Sequence, residues 1–241
     1  FSDLKLNTSS SYTFKAVSTG LTDGISPSPT VINGAGAASY SLASPFAPTS
    51  VIAGTAFPVK IEAKDSFNNL ASSYSNSVTI AASPNDPLAS FSPTTFSGGM
   101  LTFNATLKTA GTYTIMITDS VNSPVLTIST SSITVTAGTA DSLIITGPIT
   151  LTGGGASGTY TVTAKDVYSN TATSYNNTVG LSSSAPLTYP STITMTSGVN
   201  SNVTISASTV VTPVAKTVTV YDFPTTVGPP SQGSITITVN P

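Results

Sequence analysis

The chain has 241 residues and a net charge of −2, and only 7% of its residues are charged. Every basic residue is lysine, and arginine, histidine, cysteine and tryptophan are absent. This composition excludes a basic nucleic-acid-binding patch and leaves no imidazole base, thiolate nucleophile or common zinc ligand set.

Other features of composition point the same way. Glu62 is the sole glutamate, so a paired-carboxylate site would have to be built from aspartates, and an enzyme is not expected. Ser, Thr, Asn and Gly stand where charge would normally be. Such a surface suits an extracellular or cell-surface protein, and the lack of cysteine does not oppose that, since disulfides matter most in domains too small to build a core. No apolar run approaches the ~20 residues of a transmembrane segment. The first residue is Phe1 and no signal-like segment follows it, so the sequence reads as a processed or excised piece.

Along the chain, period-2 alternation dominates and helical periodicity is missing. The opening stretch "LNTSSSYTFKAVS" (Leu6–Ser18) is followed by "SPTVINGAG". "PVKIEAKD" would turn Val59, Ile61 and Ala63 inward, with Lys60, Glu62 and Lys64 outward. "TYTIMITD" offers Tyr113, Ile115 and Ile117, and "SITVTAG" offers Ile133 and Val135. "YTVTAKD" would bury Tyr160, Val162 and Ala164, "KTVTVYD" Val218 and Val220, and "SITITVNP" Ile235, Ile237 and Val239. Threonine on the opposite face suits a pleated, half-wet surface. Gly and Pro punctuate the gaps as they do in a β-sandwich.

An internal repeat organises these strands. "AKDSFNNLASSYSNSV" from Ala63 recurs as "AKDVYSNTATSYNNTV" from Ala164, an offset of 101 residues. Ala63–Ile80 aligns with Ala164–Leu181 without a gap, Gly54 matches Gly155, and Asp119 matches Asp222 after small gaps. A period near 100 residues is too long for a solenoid turn and fits one sandwich per repeat. The repeats span 34–137 and 138–241. Residues 1–33 resemble the end of another repeat, because Leu6, Thr8, Tyr12 and Thr13 match Leu107, Thr109, Tyr113 and Thr114. Three strands with an open edge are not expected to be stable alone. Either the chain comes from a longer array, or other segments or subunits complete this partial domain by β-augmentation.

The pattern A-K-D-x-[FY]-x-N, a later inward tyrosine and "LKTAGTYTI" resemble bacterial immunoglobulin-like repeats of the invasin and intimin type, with filamin repeats a more distant likeness. That family usually shows Asp-x-x-Gly-Asn at the turn, where this chain has Asn68 and Ser169. The resemblance implies an all-β fold of tandem immunoglobulin-like β-sandwiches in a cell-surface stalk, adhesin, surface layer or filament. No lectin-like tip, catalytic domain or cell-wall sorting motif is expected within these 241 residues.

Three function classes follow: a structural module of an extracellular assembly (S-layer, sheath or filament), a stalk segment of a bacterial adhesin, or an accessory β-sandwich of a secreted polysaccharide-degrading enzyme. The expected partners are other copies of the chain or neighbouring repeats. In the implied topology Asp65 and Asp119, and Asp166 and Asp222 with Asp141 nearby, would lie at the poles of the sandwiches. There they would either cap turns through their own backbone or supply Ca2+ ligands. Tyr74, Tyr175, Tyr12 and Tyr113 read as core or corner aromatics. Asn7, Asn104, Asn176 and Asn202 head Asn-x-Ser/Thr sequons open to glycans.

Overall fold

The computed structural model describes residues 5–27, 30–32, 34, 36–122, 124–222 and 230–241. Asn33 and Ala35, within the stretch that marks the start of the first full repeat, lie outside them. Every regular element among the described residues is a strand. The chain divides into two compact units. One comprises Phe1–Val51, Thr55–Leu107 and Gly111–Thr134; the other comprises Ile52–Gly54, Lys108–Ala110 and Val135–Pro241.

The first unit opens with β1 (Ser10–Tyr12), β2 (Lys15–Ala16), β3 (Gly24–Ile25) and β4 (Thr30–Ile32). These make two antiparallel pairs, β1 with β4 and β2 with β3. Then come β5 (Ser39–Ala43), β6 (Ser50–Ile52), β7 (Ala56–Lys64), β8 (Thr79–Ser83), β9 (Ser90–Ser92), β10 (Met100–Thr106), β11 (Gly111–Asp119), β12 (Leu126–Ser129) and β13 (Ile133–Thr136). One sheet runs β5-β7-β10-β9; the other runs β12-β11-β13-β6, with β8 on the free edge of β11.

The remaining strands are β14 (Ser142–Thr146), β15 (Thr150–Thr152), β16 (Ser157–Lys165), β17 (Thr178–Ser182), β18 (Leu187–Thr188), β19 (Thr192–Thr194), β20 (Val199–Ala207), β21 (Val214–Asp222) and β22 (Gly233–Asn240). Their sheets are ordered β14-β16-β20-β18 and β15-β22-β21-β17-β19. In immunoglobulin terms the first reads A-B-E-D, and the second reads A′-G-F-C with one more strand. The A′ strand β15 runs parallel to β22 while the other neighbours are antiparallel. The strand order of both units is therefore immunoglobulin-like.

The cores follow from the alternation. Val59, Ile61 and Ala63 on β7 and Tyr160, Val162 and Ala164 on β16 are fully buried, while the residues between them reach the surface. In the second unit these side chains meet Val179 and Leu181 of β17, Val218 and Val220 of β21, and Ile237 and Val239 of β22 in one apolar cluster. Ile235 is only partly buried against it. Each buried side chain of this size stabilises the fold by about 1.5–3 kcal/mol through removal from water.

Candidate functional site

The repeated Lys-Asp stretch forms the same turn twice. Lys64 ends β7 and Lys165 ends β16, so each aspartate is the first residue to leave a long strand. Asp65 Oδ1 accepts the backbone N–H of Phe67 (2.9 Å) and of Asn69 (2.8 Å), and the N–H of Asn68 donates to the Asp65 carbonyl. Asp166 Oδ1 likewise accepts from the N–H of Tyr168 and of Asn170, both at 2.9 Å. Asn68 and Ser169 each adopt φ of +67°. That is the left-handed region that glycine enters without strain, and serine tolerates it less well than asparagine. A glycine then lies against the turn from the far side. A Cβ on Gly99 or Gly198 would come within 2.5 Å of the carbonyl oxygen of Ala71 or Ala172.

The lysines of the pair are held along their strands. Lys64 Nζ donates to Glu62 Oε2 at 2.7 Å, and Lys60 lies 3.3 Å from the other oxygen. These lysines keep the Glu62 carboxyl below its ordinary value, with the Lys64 hydrogen bond the largest cause. Lys165 has no such neighbour in sequence and donates instead to Thr171 Oγ1 at 3.1 Å.

The asparagine that closes the motif does more than end the turn. The Asn69 amide N–H donates to the Asn7 carbonyl (2.7 Å), and its Oδ1 accepts the Ser9 N–H (2.9 Å). In the second unit the Asn170 amide donates to the Lys108 carbonyl and accepts the Ala110 N–H, both at 2.8 Å. A side-chain amide here pairs with the backbone of residues n and n+2 as a neighbouring strand would. Each amide also donates to the aspartate of its own turn, Asn69 to Asp65 Oδ2 at 3.0 Å and Asn170 to Asp166 Oδ2 at 2.9 Å. Asp166 takes one further bond, from the Gly138 N–H at 2.9 Å. Burial works to raise the Asp166 carboxyl, but its four donors prevail and hold it below the usual aspartate value.

The other aspartates lie on separate elements. Asp119 ends β11, fully buried. Its carboxylate accepts the Tyr74 hydroxyl, the amides of Asn76 and Asn122 (both 2.9 Å) and the Val121 N–H (2.8 Å). Here too burial opposes ionisation and the donors outweigh it, so the carboxyl lies below its ordinary value. Tyr74 is pushed far up by burial, by its bond to Asp119 and by Tyr40, whose hydroxyl is 2.5 Å away. Tyr40 stacks on Phe96 (centroids 5.3 Å apart), and Tyr74 meets Phe96 edge-on at 5.0 Å.

In the second unit Asp222 is half-buried and accepts the Tyr175 hydroxyl at 2.6 Å. Beside it is a recess of about 230 Å³ lined by Tyr175, Asn177, Thr139, Ala140 and Pro230. Asp141 is exposed and its backbone pairs with Lys165 and Ser231. Among the described residues no three Asp, Glu, His or Cys side chains come together as metal ligands would. These partners of Asp65, Asp119 and Asp166 are all hydrogen-bond donors, the arrangement of a capped turn.

Tyr113 is buried, and Tyr12 is half-buried with its hydroxyl donating to the Thr8 carbonyl at 2.8 Å. Such a bond from the start of the F-type strand to backbone a few residues upstream is the tyrosine corner of immunoglobulin-like domains. Asn7, Asn104, Asn176 and Asn202 are all exposed. The bonds of Asn69 and Asn170 to distant backbone were missed by motif reading. The available signal was the shared 101-residue offset of both the asparagines and their partners.

No protein-family model matches the chain, and no curated protein does either. Among solved structures, the chain is similar to domains 4–9 of the surface layer protein SbsC, at 16% identity and a TM-score of 0.34. That match covers 96% of this chain and 35% of the other. It is also similar to the D00-D0 domain of intimin, at 12% identity and a TM-score of 0.41, covering 82% of this chain and 98% of the other. A glycosyl hydrolase family 2 member from Bacteroides cellulosilyticus matches at 10% identity and a TM-score of 0.40, covering 78% of this chain and 23% of the other. The immunoglobulin-like assignment rests on strand order and not on these scores.

Proposed function

We propose that the chain is a structural module of an extracellular cell-surface assembly, such as a surface layer, sheath or filament, and that it acts through packing and pairing. The observation that carries this reading is the destination of its repeated polar motif. Asp65, Asn69, Asp166 and Asn170 spend their hydrogen bonds on backbone and on each other. A repeated motif that serves a substrate would be expected to aim polar groups into a cleft. A surface poor in charge also lacks the repulsion that keeps copies apart.

Negative-stain imaging of the purified protein over a concentration series tests the proposal. Lattices or fibres are expected; isolated particles at every concentration would overturn it and favour a stalk segment of an adhesin. Retention on a polysaccharide matrix would instead favour the enzyme-accessory reading.

A further inference from the structure

The fold treats the four exposed sequon asparagines differently. Asn176 turns its amide back onto its own corner: Nδ2 donates to the Ser174 carbonyl at 3.2 Å, and Oδ1 accepts the N–H of Ser197 at 2.8 Å. Ser197 has φ of +49°, so this side chain holds a left-handed residue in place. Asn7 precedes β1 and is fastened through its carbonyl. Asn104 and Asn202 lie on strands, β10 and β20.

Register fixes where Asn104 points. Its neighbours Phe103 and Ala105 are buried in the core, so Asn104 and Thr106 share the outer face by alternation. Ser92 and Pro58 flank Asn104 across the sheet, and all three are exposed.

Asn202 reaches the outer face by another route. Along β10 the pairing of Met100–Thr106 with β7 is unbroken. On β20 the register shifts between Tyr160 and Val162, so Thr161 faces both Ser201 and Asn202. This is a β-bulge, an insertion that re-aims side chains. In the first unit Thr102 alone stands in that place, opposite Lys60. The residue that secures the bulge is Asn200: its Oδ1 accepts the Asn202 N–H at 3.0 Å, and its Nδ2 donates to the Thr194 carbonyl at 2.9 Å. Asn202 is left exposed, and Thr204, also exposed, follows beyond the buried Val203.

We propose that Asn104 and Asn202 carry N-linked oligosaccharides and that Asn176 carries none. In the transfer, Nδ2 attacks the anomeric carbon of a sugar activated as a phosphoester. The C–N bond forms as the bond from that carbon to the phosphate oxygen breaks. Nδ2 gives up one of its two protons to the transferring enzyme, and the phosphate departs with its carrier. The glycans stand on the outer face of the sheet that holds β10 in one unit and β20 in the other. With only 7% of residues charged, a neutral sugar supplies surface hydration without adding repulsion between copies. The inference deepens the surface-assembly reading and rests on its extracellular placement.

Glycopeptide mass spectrometry of the protein isolated from the cells that make it tests the assignment. Carbohydrate mass is expected on the peptides that hold Asn104 and Asn202, and none on the peptide that holds Asn176. Asn104→Gln and Asn202→Gln each remove one glycan from the intact mass. Thr106→Val and Thr204→Val, which keep the asparagine, do the same, while Asn176→Gln leaves the glycan mass unchanged. A bare Asn104 or Asn202 in the wild-type chain, or a glycan on Asn176, would overturn the proposal whether or not the variants fold. Lattices built from chains bare at both sites sink the glycans and leave the assembly reading standing. Glycosylated chains that stay isolated at every concentration do the reverse.

Discussion

The two sandwiches share a frame and differ in what fills one end of it. Pairing register places Tyr40 opposite Ala63 and Leu143 opposite Ala164, so Leu143 occupies the position of Tyr40. Phe96 and Met195 correspond in the same way, since each donates its N–H to the carbonyl of the equivalent asparagine, Asn76 or Asn177. The first unit thus seals its buried Asp119 under three aromatic rings, while the second keeps the tyrosine–aspartate bond beside a recess. The backbone turn and its Asp–Asn pair are constant, and the side chains around the second carboxylate are free to change. Between these two repeats the turn is kept while the filling of the neighbouring core is not.

The largest break in that comparison is expected at the carboxylates. Asp119→Ala strands the buried Tyr74 hydroxyl and the half-buried amides of Asn76 and Asn122 and should cost about 3 kcal/mol. Asp222→Ala, at a half-buried carboxylate that accepts the Tyr175 hydroxyl, should cost about 1 kcal/mol. Urea unfolding of both variants measures the difference, and equal losses would deny that the aromatic seal matters.

Next come the asparagines. Asn170→Ala removes the bonds to Lys108 and Ala110 together with one to Asp166, and is expected to cost about 2 kcal/mol. Asn69→Ala should cost about 1 kcal/mol, and its distinctive readout is faster proteolysis within residues 5–27. Unchanged cleavage there would remove the holding role assigned to Asn69.

Acid sharpens the contrast further. Asp119 and Asp166 both titrate below the usual aspartate value of 3.8. Their stabilisation is complete above the unfolded value and is lost as pH falls through the lower folded values. Wild type should thus lose stability below about pH 4, and Asp119→Ala should show a shallower acid slope. At the turn, Ser169→Gly relieves a left-handed serine and is expected to gain about 0.5–1 kcal/mol. Asn68→Gly should gain a few tenths of a kcal/mol at most. The smallest effect expected is that of a chelator on the melting temperature. Donor-saturated carboxylates predict no shift, and a clear drop on chelation would reopen the calcium reading.

Much of this was written in local pattern. Alternation placed Val59, Ile61, Ala63, Tyr160, Val162 and Ala164 correctly because a half-wet sheet must follow period 2. The turn role of Asp65 and Asp166 was also legible, since capping acts over two to four residues. The grip of Asn69 and Asn170 was not, because each partner lies about 60 residues upstream. The difference between Asp119 and Asp222 was hidden for the same reason: it depends on Tyr40 against Leu143, residues remote from either carboxylate. Local chemistry was readable, and long-range contact was visible only as repetition.

The asparagine grip has one more consequence. It holds peptide groups and ignores what hangs from them, so Asn7-Thr8-Ser9 and Lys108-Thr109-Ala110 are received alike. A fastening that does not inspect side chains lets the fastened segment vary in sequence without loosening. Asn7, exposed within such a segment, can then take on a glycan or a charge without disturbing the fastening.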